Sequence, residues 1–252
     1  MSQPNESTGG RVALVTGSTS GIGAAIARRL ARDGFTVALH SRRSAAAGER
    51  LAGELAGATY TRADLASETE TRQLLAQVLA KHGRLDVLVN NAGISETVPH
   101  GNLPAATPAL WRRLYDVNVI APWLLIGEAE AALRRSAEQG NSPSILNISS
   151  HAGVRPKGAS IPYAVSKAAL NHMTRLLAVT LAPAIRVNAI APGLVDTPLT
   201  ASWTAARDLW RERSPMRRGA RPEDIADIAA MVIGSGYITG EVILADGGLN
   251  LT

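Results

Sequence analysis

Residues 12–23 read VALVTGSTSGIG, and this stretch decides the fold. Its four apolar residues predict a buried strand, and Ile22, Ile26 and Leu30 recur at helical spacing after the glycines. A strand that runs directly into a glycine-rich turn and a helix suits a pyrophosphate, because free N–H groups at the helix start favour an anion. The spacing is GxxxGxG rather than GxGxxG, so it fits the general dinucleotide fingerprint loosely. A turn needed only for helix packing is the alternative.

The alternation of strand and helix patterns continues along the whole chain. β-type apolar runs occupy residues 11–16, 36–40, 59–62, 85–90, 144–149, 185–190 and 241–244. Patterns of helical period lie between them. This alternation predicts an α/β fold, a Rossmann-type doubly wound sheet of seven parallel strands with helices on both faces.

The domain organisation follows from the same pattern. No linker, repeat or charge block interrupts the alternation after the first ten residues. We therefore predict a single domain over residues 11–252, preceded by a disordered tail over residues 1–10. Residues 194–221 are irregular and carry Trp203 and Trp210. Such an insertion before the last helix predicts a lid over the substrate.

Composition excludes several classes of protein. The 252 residues are 46% hydrophobic, and no apolar run approaches the roughly 20 residues that span a bilayer. No signal-peptide pattern opens the chain, so a cytoplasmic location is expected. The absence of cysteine excludes disulfides and thiol catalysis, and the five histidines lack ligand spacing, so no metal site is predicted. The net charge of +5 comes from scattered arginines, which predicts neither nucleic-acid nor membrane binding.

The end of the second strand indicates which dinucleotide binds. NAD-binding folds use a carboxylate about here for the ribose 2′-hydroxyl. The chain instead reads Leu39-His40-Ser41-Arg42-Arg43, without an acid. Guanidinium groups pair with phosphate through charge-assisted hydrogen bonds. The sequence therefore predicts NADP(H), with its 2′-phosphate at Ser41, Arg42 and Arg43 and with Arg42 favoured over Arg43. Arginines that merely solubilise a loop are the alternative.

A tyrosine and a lysine open an apolar helix. The stretch reads Tyr163-Ala164-Val165-Ser166-Lys167, and the spacing of four places the phenol and the ammonium on one helix face. A fixed cation near a phenol favours the phenolate, which would make Tyr163 useful as an acid/base. The pattern alone is weak, because surface helices contain it by chance.

Taken together, these pieces resemble the short-chain dehydrogenase/reductase family, from about residue 11 to residue 248. The matching pieces, in chain order, are residues 16–23, Asp64-Leu65, Asn90-Asn91-Ala92-Gly93, Asn118, Ser149-Ser150, Tyr163 with Lys167, Pro192-Gly193 and Asp246-Gly247-Gly248. Agreement of so many pieces in one order is not expected by chance. Within that family, the sequence resembles the 3-oxoacyl-acyl-carrier-protein reductases.

The resemblance implies a catalytic set and a reaction. Tyr163 would exchange a proton with the substrate oxygen, Lys167 would lower the tyrosine pKa and hold the nicotinamide ribose, and Asn118 would hold a water of the proton relay. Ser150, thirteen residues before the tyrosine as in the family, would bind the same oxygen. Ser149 faces the other way on the strand and is interpreted as a packing residue. The reaction implied is hydride transfer between nicotinamide and a ketone or secondary alcohol.

Two larger sets of contacts come with the resemblance. The cofactor set consists of Gly17, Ser18, Thr19, Ser20, Gly21, Ile22, Gly23, Asp64, Leu65, Asn91, Ala92, Gly93, Pro192, Gly193, Val195 and Thr197, besides residues 41–43 and the Tyr163–Lys167 pair. The substrate pocket would be lined by Ser95, Val154, Arg155, Ile161, Leu194, Leu199 and Trp203, with Trp210 as an alternative.

Partners and alternatives are also implied. A small carbonyl or alcohol substrate and a homotetramer rather than a dimer are expected, with contacts through the helices that carry Asn118 and Tyr163. An acyl-carrier protein is doubtful, because residues 140–144 and 183–184 lack the basic residues that dock it. NAD-linked alcohol oxidation is the alternative within the family. A non-enzymatic NADP(H)-binding regulator and a nucleotide-sugar dehydratase or epimerase fit less well.

Overall fold

A computed structural model describes residues 10–252 of the chain. The tail predicted for residues 1–10 therefore lies outside the described residues, except for Gly10. The strands are β1 (Val12–Val15), β2 (Thr36–Ser41), β3 (Thr59–Arg62), β4 (Val87–Asn90), β5 (Ser144–Ile148), β6 (Arg186–Pro192) and β7 (Val242–Ala245). Each lies within two residues of a run expected from the sequence.

The strands form one parallel sheet in the order β3-β2-β1-β4-β5-β6-β7. β1 is central, since Ala13 lies opposite Val37 of β2 on one side and Val87 of β4 on the other. From β1 to β3 each successive strand is added on one side of β1, and from β4 to β7 each is added on the other side. Loops at the carboxyl ends of β1 and β4 diverge and open a crevice, which is where such sheets bind ligands. The predicted Rossmann-type sheet of seven parallel strands is confirmed.

Helices cover both faces of the sheet, as predicted. They are α1 (Gly21–Arg32), α2 (Ala45–Glu54), α3 (Glu68–His82), α4 (Pro108–Tyr115), α5 (Ala121–Glu138), α6 (Ile161–Leu181), α7 (Thr204–Arg213) and α8 (Pro222–Gly234). Buried leucines, valines and alanines of α3, α5 and α6 pack on one face, and those of α1, α2 and α8 pack on the other. Among the described residues no helix is both long enough and apolar enough to cross a bilayer.

A π-helical turn, Asp116–Ile120, joins α4 to α5 without a break in the helical backbone. Such turns widen a helix locally and are frequent at functional sites. Here the turn places Asn118, which is 1% exposed, against the loop after β4. The long helix thus delivers one polar side chain to the carboxyl edge of the sheet.

Residues 194–221 contain a 3₁₀ turn, Pro198–Thr200, followed by α7. The two ends of the segment are tied together: Asp196 N–H donates to Ala220 O at 2.8 Å, and Ala220 N–H donates to Leu194 O at 2.8 Å. α7 itself buries no residue completely. The segment is therefore a loop with a closed base and a loosely packed tip, and its closing as a lid stays a prediction.

Candidate active site

The turn after β1 is shaped by three glycines. Gly17 and Gly21 have φ values of 62° and 52°, in the left-handed region that glycine tolerates. A Cβ at Gly23 would lie 2.3 Å from Gly17 O, so the first turn of α1 packs directly on the preceding loop. The resulting cradle lies at the start of a helix and lets a ligand approach the backbone closely at the glycines, which fits a pyrophosphate.

Asn91 and Thr16 hold the rim of this cradle. Asn91 Nδ2 donates to Thr16 O at 2.8 Å and to Gly17 O at 3.1 Å. Thr16 Oγ1 accepts from the N–H groups of Asn91 and Ala92, each at 3.0 Å. Asn91 therefore braces the turn from the neighbouring strand. Although Asn91 is a predicted cofactor residue, its side-chain amide donates to backbone oxygens of the glycine turn.

The far end of the crevice is lined by residues that follow β2 and β3. Ser41, Arg42, Asp64 and Leu65 all line it. Arg42 Nη1 lies 3.7 Å from Asp64 Oδ2, and both side chains are more than one-third exposed. Arg43 is exposed and is not among the lining residues. The geometry thus separates the two arginines, in line with the preference for Arg42.

Ser18 and His40 connect the glycine turn to β2. Ser18 is fully buried, and its Oγ accepts from His40 N–H at 2.9 Å, so it braces the turn rather than lining the crevice. His40 Nδ1 accepts from Gly17 N–H at 3.2 Å, and its Nε2 lies 3.0 Å from Ala63 O. Burial lowers the pKa of His40, so the ring is neutral at neutral pH. His40 lines the crevice and was not among the predicted site residues.

Tyr163 and Lys167 occupy the first turns of α6, which Ser160 caps by accepting from Tyr163 N–H. Lys167 is 5% exposed, and its Nζ donates to Ile148 O at 2.9 Å. Burial lowers the pKa of Lys167 to about 8. Burial raises the pKa of Tyr163, and a hydrogen bond with Ser150 offsets part of that rise. That Lys167 lowers the tyrosine pKa stays a prediction.

The two serines after β5 have different environments. Ser149 is buried, and its Oγ donates to Lys167 O at 3.2 Å, which ties the strand to α6. Ser150 Oγ accepts from Ala152 N–H at 3.2 Å and also contacts Tyr163. The structure therefore brings Ser150, not Ser149, to the phenol, as the sequence interpretation expects.

Asn118 connects the π-helical turn to this group. Its Oδ1 accepts from Ile94 N–H at 2.9 Å, and its Nδ2 donates to Ile94 O at 3.0 Å and to Ser166 Oγ at 3.1 Å. A Cβ on Gly93 would lie 3.3 Å from both Asn118 Oδ1 and Lys167 Nζ. A glycine here therefore lets the asparagine and the lysine approach each other beside the crevice.

Two cavities meet at Tyr163. The smaller, about 350 Å³, runs from the glycine turn past Lys167. The larger, about 750 Å³, lies beneath residues 194–210 and includes Ser150. Ile22, Ser149, Tyr163, Thr197 and Leu199 line both. A phenol at the junction of a dinucleotide-shaped crevice and an apolar cavity is suitably placed to act on a molecule that meets the cofactor there.

Comparison with known proteins identifies the family. The model of the family described as enoyl-(acyl carrier protein) reductase matches residues 17–250. A protein named ketoacyl reductase 2 of the granaticin polyketide synthase, from Streptomyces violaceoruber, is 47% identical over 247 residues, which cover 95% of this chain and 96% of the relative. This chain belongs to the short-chain dehydrogenase/reductase family. It is therefore an oxidoreductase by family.

Solved structures of the family agree with the fold. A short-chain dehydrogenase/reductase from Burkholderia xenovorans has a TM-score of 0.88 and 36% identity, covering 96% of this chain and 98% of that one. The 3-ketoacyl-(acyl-carrier-protein) reductase of Brucella melitensis, complexed with NADH, has a TM-score of 0.87 and 34% identity, covering 96% and 99%. RhlG of Pseudomonas aeruginosa, as an NADP active-site complex, has a TM-score of 0.87 and 36% identity, covering 98% and 99%. Members of the family thus bind either nicotinamide dinucleotide.

The remaining cofactor residues divide between the two cavities of this family member. The smaller cavity is lined by Thr19, Ser20, Gly21, Ile22, Gly23, Asn91, Ala92, Gly93 and Thr197. Pro192, Gly193 and Val195 line the larger cavity instead. A Cβ on Gly21 would lie 3.0 Å from Thr197 Cγ2, so the base of residues 194–221 packs on the glycine turn. The loop over the larger cavity therefore also closes one end of the smaller one.

The predicted substrate-pocket residues fall into two groups. Leu194, Leu199 and Trp203 line the larger cavity, and Ser95 lines the smaller one. Val154, Arg155 and Ile161 are not among the lining residues of either cavity. Arg155 turns away, and its Nη2 donates to Asn250 O at 2.6 Å. The 3₁₀ turn His151–Gly153 causes this, because it redirects the chain after β5.

Sequence reasoning did not single out several residues that line the larger cavity. They are Thr97, Val98, His100, His151, Ala152, Leu209 and Leu249. His151 was the one with an available signal, since it directly follows Ser150. The others come from loops whose paths are set by tertiary packing.

Proposed function

We propose that this chain is an NADP(H)-dependent oxidoreductase that interconverts a ketone and a secondary alcohol, with Tyr163 as the acid/base. The observation that carries the proposal is the position of the Tyr163 phenol at the junction of the two cavities, in contact with Ser150. When bound, the nicotinamide supplies or accepts the hydride. The residues of the chain supply position and the proton.

The protein groups have distinct tasks in this proposal. The glycine turn holds the pyrophosphate, and Arg42 with Ser41 holds the 2′-phosphate. Ser150 and Tyr163 both hydrogen-bond the substrate oxygen, which fixes the carbonyl carbon beside the cofactor crevice. Lys167 holds the nicotinamide ribose and, with Asn118, returns protons to the phenol.

The protonation states at the site at neutral pH suit donation of a proton by Tyr163. Because burial raises the pKa of Tyr163, its phenol is protonated and can donate to a carbonyl oxygen. Lys167, with a pKa of about 8, is mainly charged at pH 7. Charge on the lysine also stabilises the phenolate that forms once the proton has left. Tyr163 can thus donate a proton and later be protonated again.

The preference for NADP(H) rests on the end of β2. Ser41, Arg42 and Asp64 line the crevice there, and no acid occupies residues 39–43. Substituting Arg42→Ala is expected to weaken NADPH binding about ten-fold or more, because one charge-assisted hydrogen bond to phosphate contributes about 1.5–3 kcal/mol. NADH binding should change less than about two-fold. Fluorescence titration of the purified protein with each dinucleotide measures both.

Arg43→Ala is the matched control, since Arg43 is the adjacent guanidinium but does not line the crevice. It should leave NADPH affinity within about two-fold. A wild-type protein that binds NADH as well as NADPH, or an Arg42→Ala variant that keeps its preference, would contradict the NADP(H) assignment. NAD-linked alcohol oxidation would then become the leading function.

We further propose a homotetramer in which α5 and α6 contribute to one contact. These helices expose the large apolar side chains of Trp123, Val165, Leu176 and Val179, and Ile120 at the end of the π-helical turn is exposed beside them. Val179 alone is 83% exposed. Exposed apolar patches of this kind mark protein–protein contacts.

Substituting Val179→Glu is expected to lower the oligomer mass, because it would bury an unpaired charge in the contact. Sedimentation velocity with wild-type protein measures the mass. Arg50→Glu, a change at an exposed residue of α2, is the control and should leave the mass unchanged. A wild-type protein that sediments as a monomer would contradict the proposal.

A further inference from the structure

The wall of the larger cavity holds a histidine that the proposed chemistry does not use. His151 lines the cavity but is only 7% exposed. Its Nε2 lies 3.5 Å from Asp246 Oδ2, and the ring meets Trp210 edge-on with centroids 6.0 Å apart. Trp210 in turn donates from Nε1 to Asp246 O at 3.3 Å. His151, Trp210 and Asp246, which are distant from one another in sequence, thus lie together in the fold.

The carboxylate facing this imidazole is fixed in place. Asp246 Oδ1 accepts from Gly248 N–H at 2.9 Å, and Oδ2 accepts from Asn250 N–H at 2.7 Å. An anchored carboxylate beside Nε2 favours the tautomer that carries its proton on Nε2, and Nδ1 is then an acceptor. At metal sites, a carboxylate that hydrogen-bonds a ligating histidine fixes the tautomer and orientation of its ring in the same way.

The imidazole has unused hydrogen-bonding capacity. Nε2 is buried and has no hydrogen-bond partner among the residues that the structure describes. Burial lowers the pKa of His151, and Arg155 and Lys157 add to this, while Asp246 opposes it. The ring is therefore neutral at neutral pH. A neutral ring oriented by a carboxylate presents Nδ1 as an acceptor for an O–H group.

We propose that His151 is a specificity-determining residue that accepts a hydrogen bond from a hydroxyl or enol O–H of the substrate, at an oxygen other than the reacting one. The preferred substrates are then hydroxy ketones or enolised polyketones rather than simple ketones. This inference rests on the proposed function, since Tyr163 and Ser150 in the same cavity define the reacting carbonyl. A site that pairs with a substrate hydroxyl discriminates strongly against the analogue that lacks it, because its own polar group is left unpaired.

The test uses two ketones that differ by one hydroxyl, 4-hydroxy-2-heptanone and 2-heptanone. Wild-type enzyme with NADPH is expected to show a kcat/KM about ten-fold or more higher for the hydroxy ketone. In His151→Phe, which keeps an aromatic ring against Trp210, this preference should vanish, because kcat/KM falls about ten-fold more for the hydroxy ketone than for 2-heptanone. His151→Gln keeps a hydrogen-bond acceptor and should retain part of the preference.

His100→Leu is the control, because His100 lines the same cavity but is exposed and its Nε2 already pairs with Gly158 O at 3.1 Å. It should keep the wild-type preference. Calorimetric titration of each ketone into the protein–NADP⁺ complex supplies a readout that does not depend on turnover. Wild-type protein that binds both ketones equally, or His151→Phe protein that still prefers the hydroxy ketone, overturns the inference. Selective binding without reduction of either ketone supports the inference and contradicts the proposed function.

Discussion

Replacing Tyr163 by phenylalanine should lower kcat for ketone reduction by about 10³-fold, the size of effect that a general acid contributes. The substitution removes one hydroxyl from the junction of the two cavities and keeps the ring that packs against the cluster of Val98, Leu110 and Leu114. The loss reflects both the missing proton and the missing hydrogen bond to the substrate oxygen. Steady-state kinetics with NADPH and a ketone that the wild type reduces measures it.

Two further measurements separate chemistry from damage to the fold. NADPH affinity of Tyr163→Phe, followed by fluorescence titration, should stay within about three-fold of wild type, because the glycine turn and Arg42 are unchanged. Tyr115→Phe removes a phenol hydroxyl from α4 and should leave kcat within about two-fold. Tyr163→Phe enzyme with wild-type kcat would refute the acid/base assignment.

The second large effect is expected at Gly23, where an alanine Cβ would lie 2.3 Å from Gly17 O and 2.4 Å from Asn91 Nδ2. Neither neighbour can yield easily, since one is backbone and the other is held by two hydrogen bonds. We expect Gly23→Ala to lower the free energy of unfolding by about 3 kcal/mol, the upper range for overpacking. Because the same clash opens the pyrophosphate cradle, NADPH affinity should fall about 100-fold or more, which corresponds to about 2.8 kcal/mol.

Gly53→Ala is the matched control, since it makes the same change in α2 where a Cβ meets nothing within 4 Å. Alanine is the better helix former, so this variant should gain up to about 1 kcal/mol and bind NADPH normally. Chemical denaturation gives the unfolding free energies, and titration gives the affinities. Equal stability of Gly23→Ala and wild type would show that the turn relaxes around the extra methyl group.

The sheet could be predicted because its signal is local. Each strand, such as β1, β4 or β6, is a short apolar run bounded by a turn or helix start, and parallel strands buried on both faces need no alternation. The order β3-β2-β1-β4-β5-β6-β7 comes from the structure, because right-handed crossovers are compatible with more than one order of parallel strands.

The directions of side chains at the site were harder to predict from the sequence. Ser18 lies inside the glycine pattern, yet its hydroxyl bonds to β2 through His40 N–H. Arg155 is near Ser150 in sequence, but a 3₁₀ turn sends it to the C-terminal segment. Burial also raises the pKa of Tyr163, an effect that the spacing of Tyr163 and Lys167 does not reveal. These outcomes depend on what packs around a residue after folding, and spacing along the chain does not encode it.

Because of the π-helical turn at Asp116–Ile120, the number of residues in this helix matters as much as their identity. A π turn holds one residue more than an α turn and accommodates it as a local widening, so losing one residue here would restore a regular helix. Asn118 would then lose the position from which it bonds to Ile94. Substitutions in this helix change one contact at a time, whereas a single deletion here would remove the turn that holds Asn118 against the loop after β4.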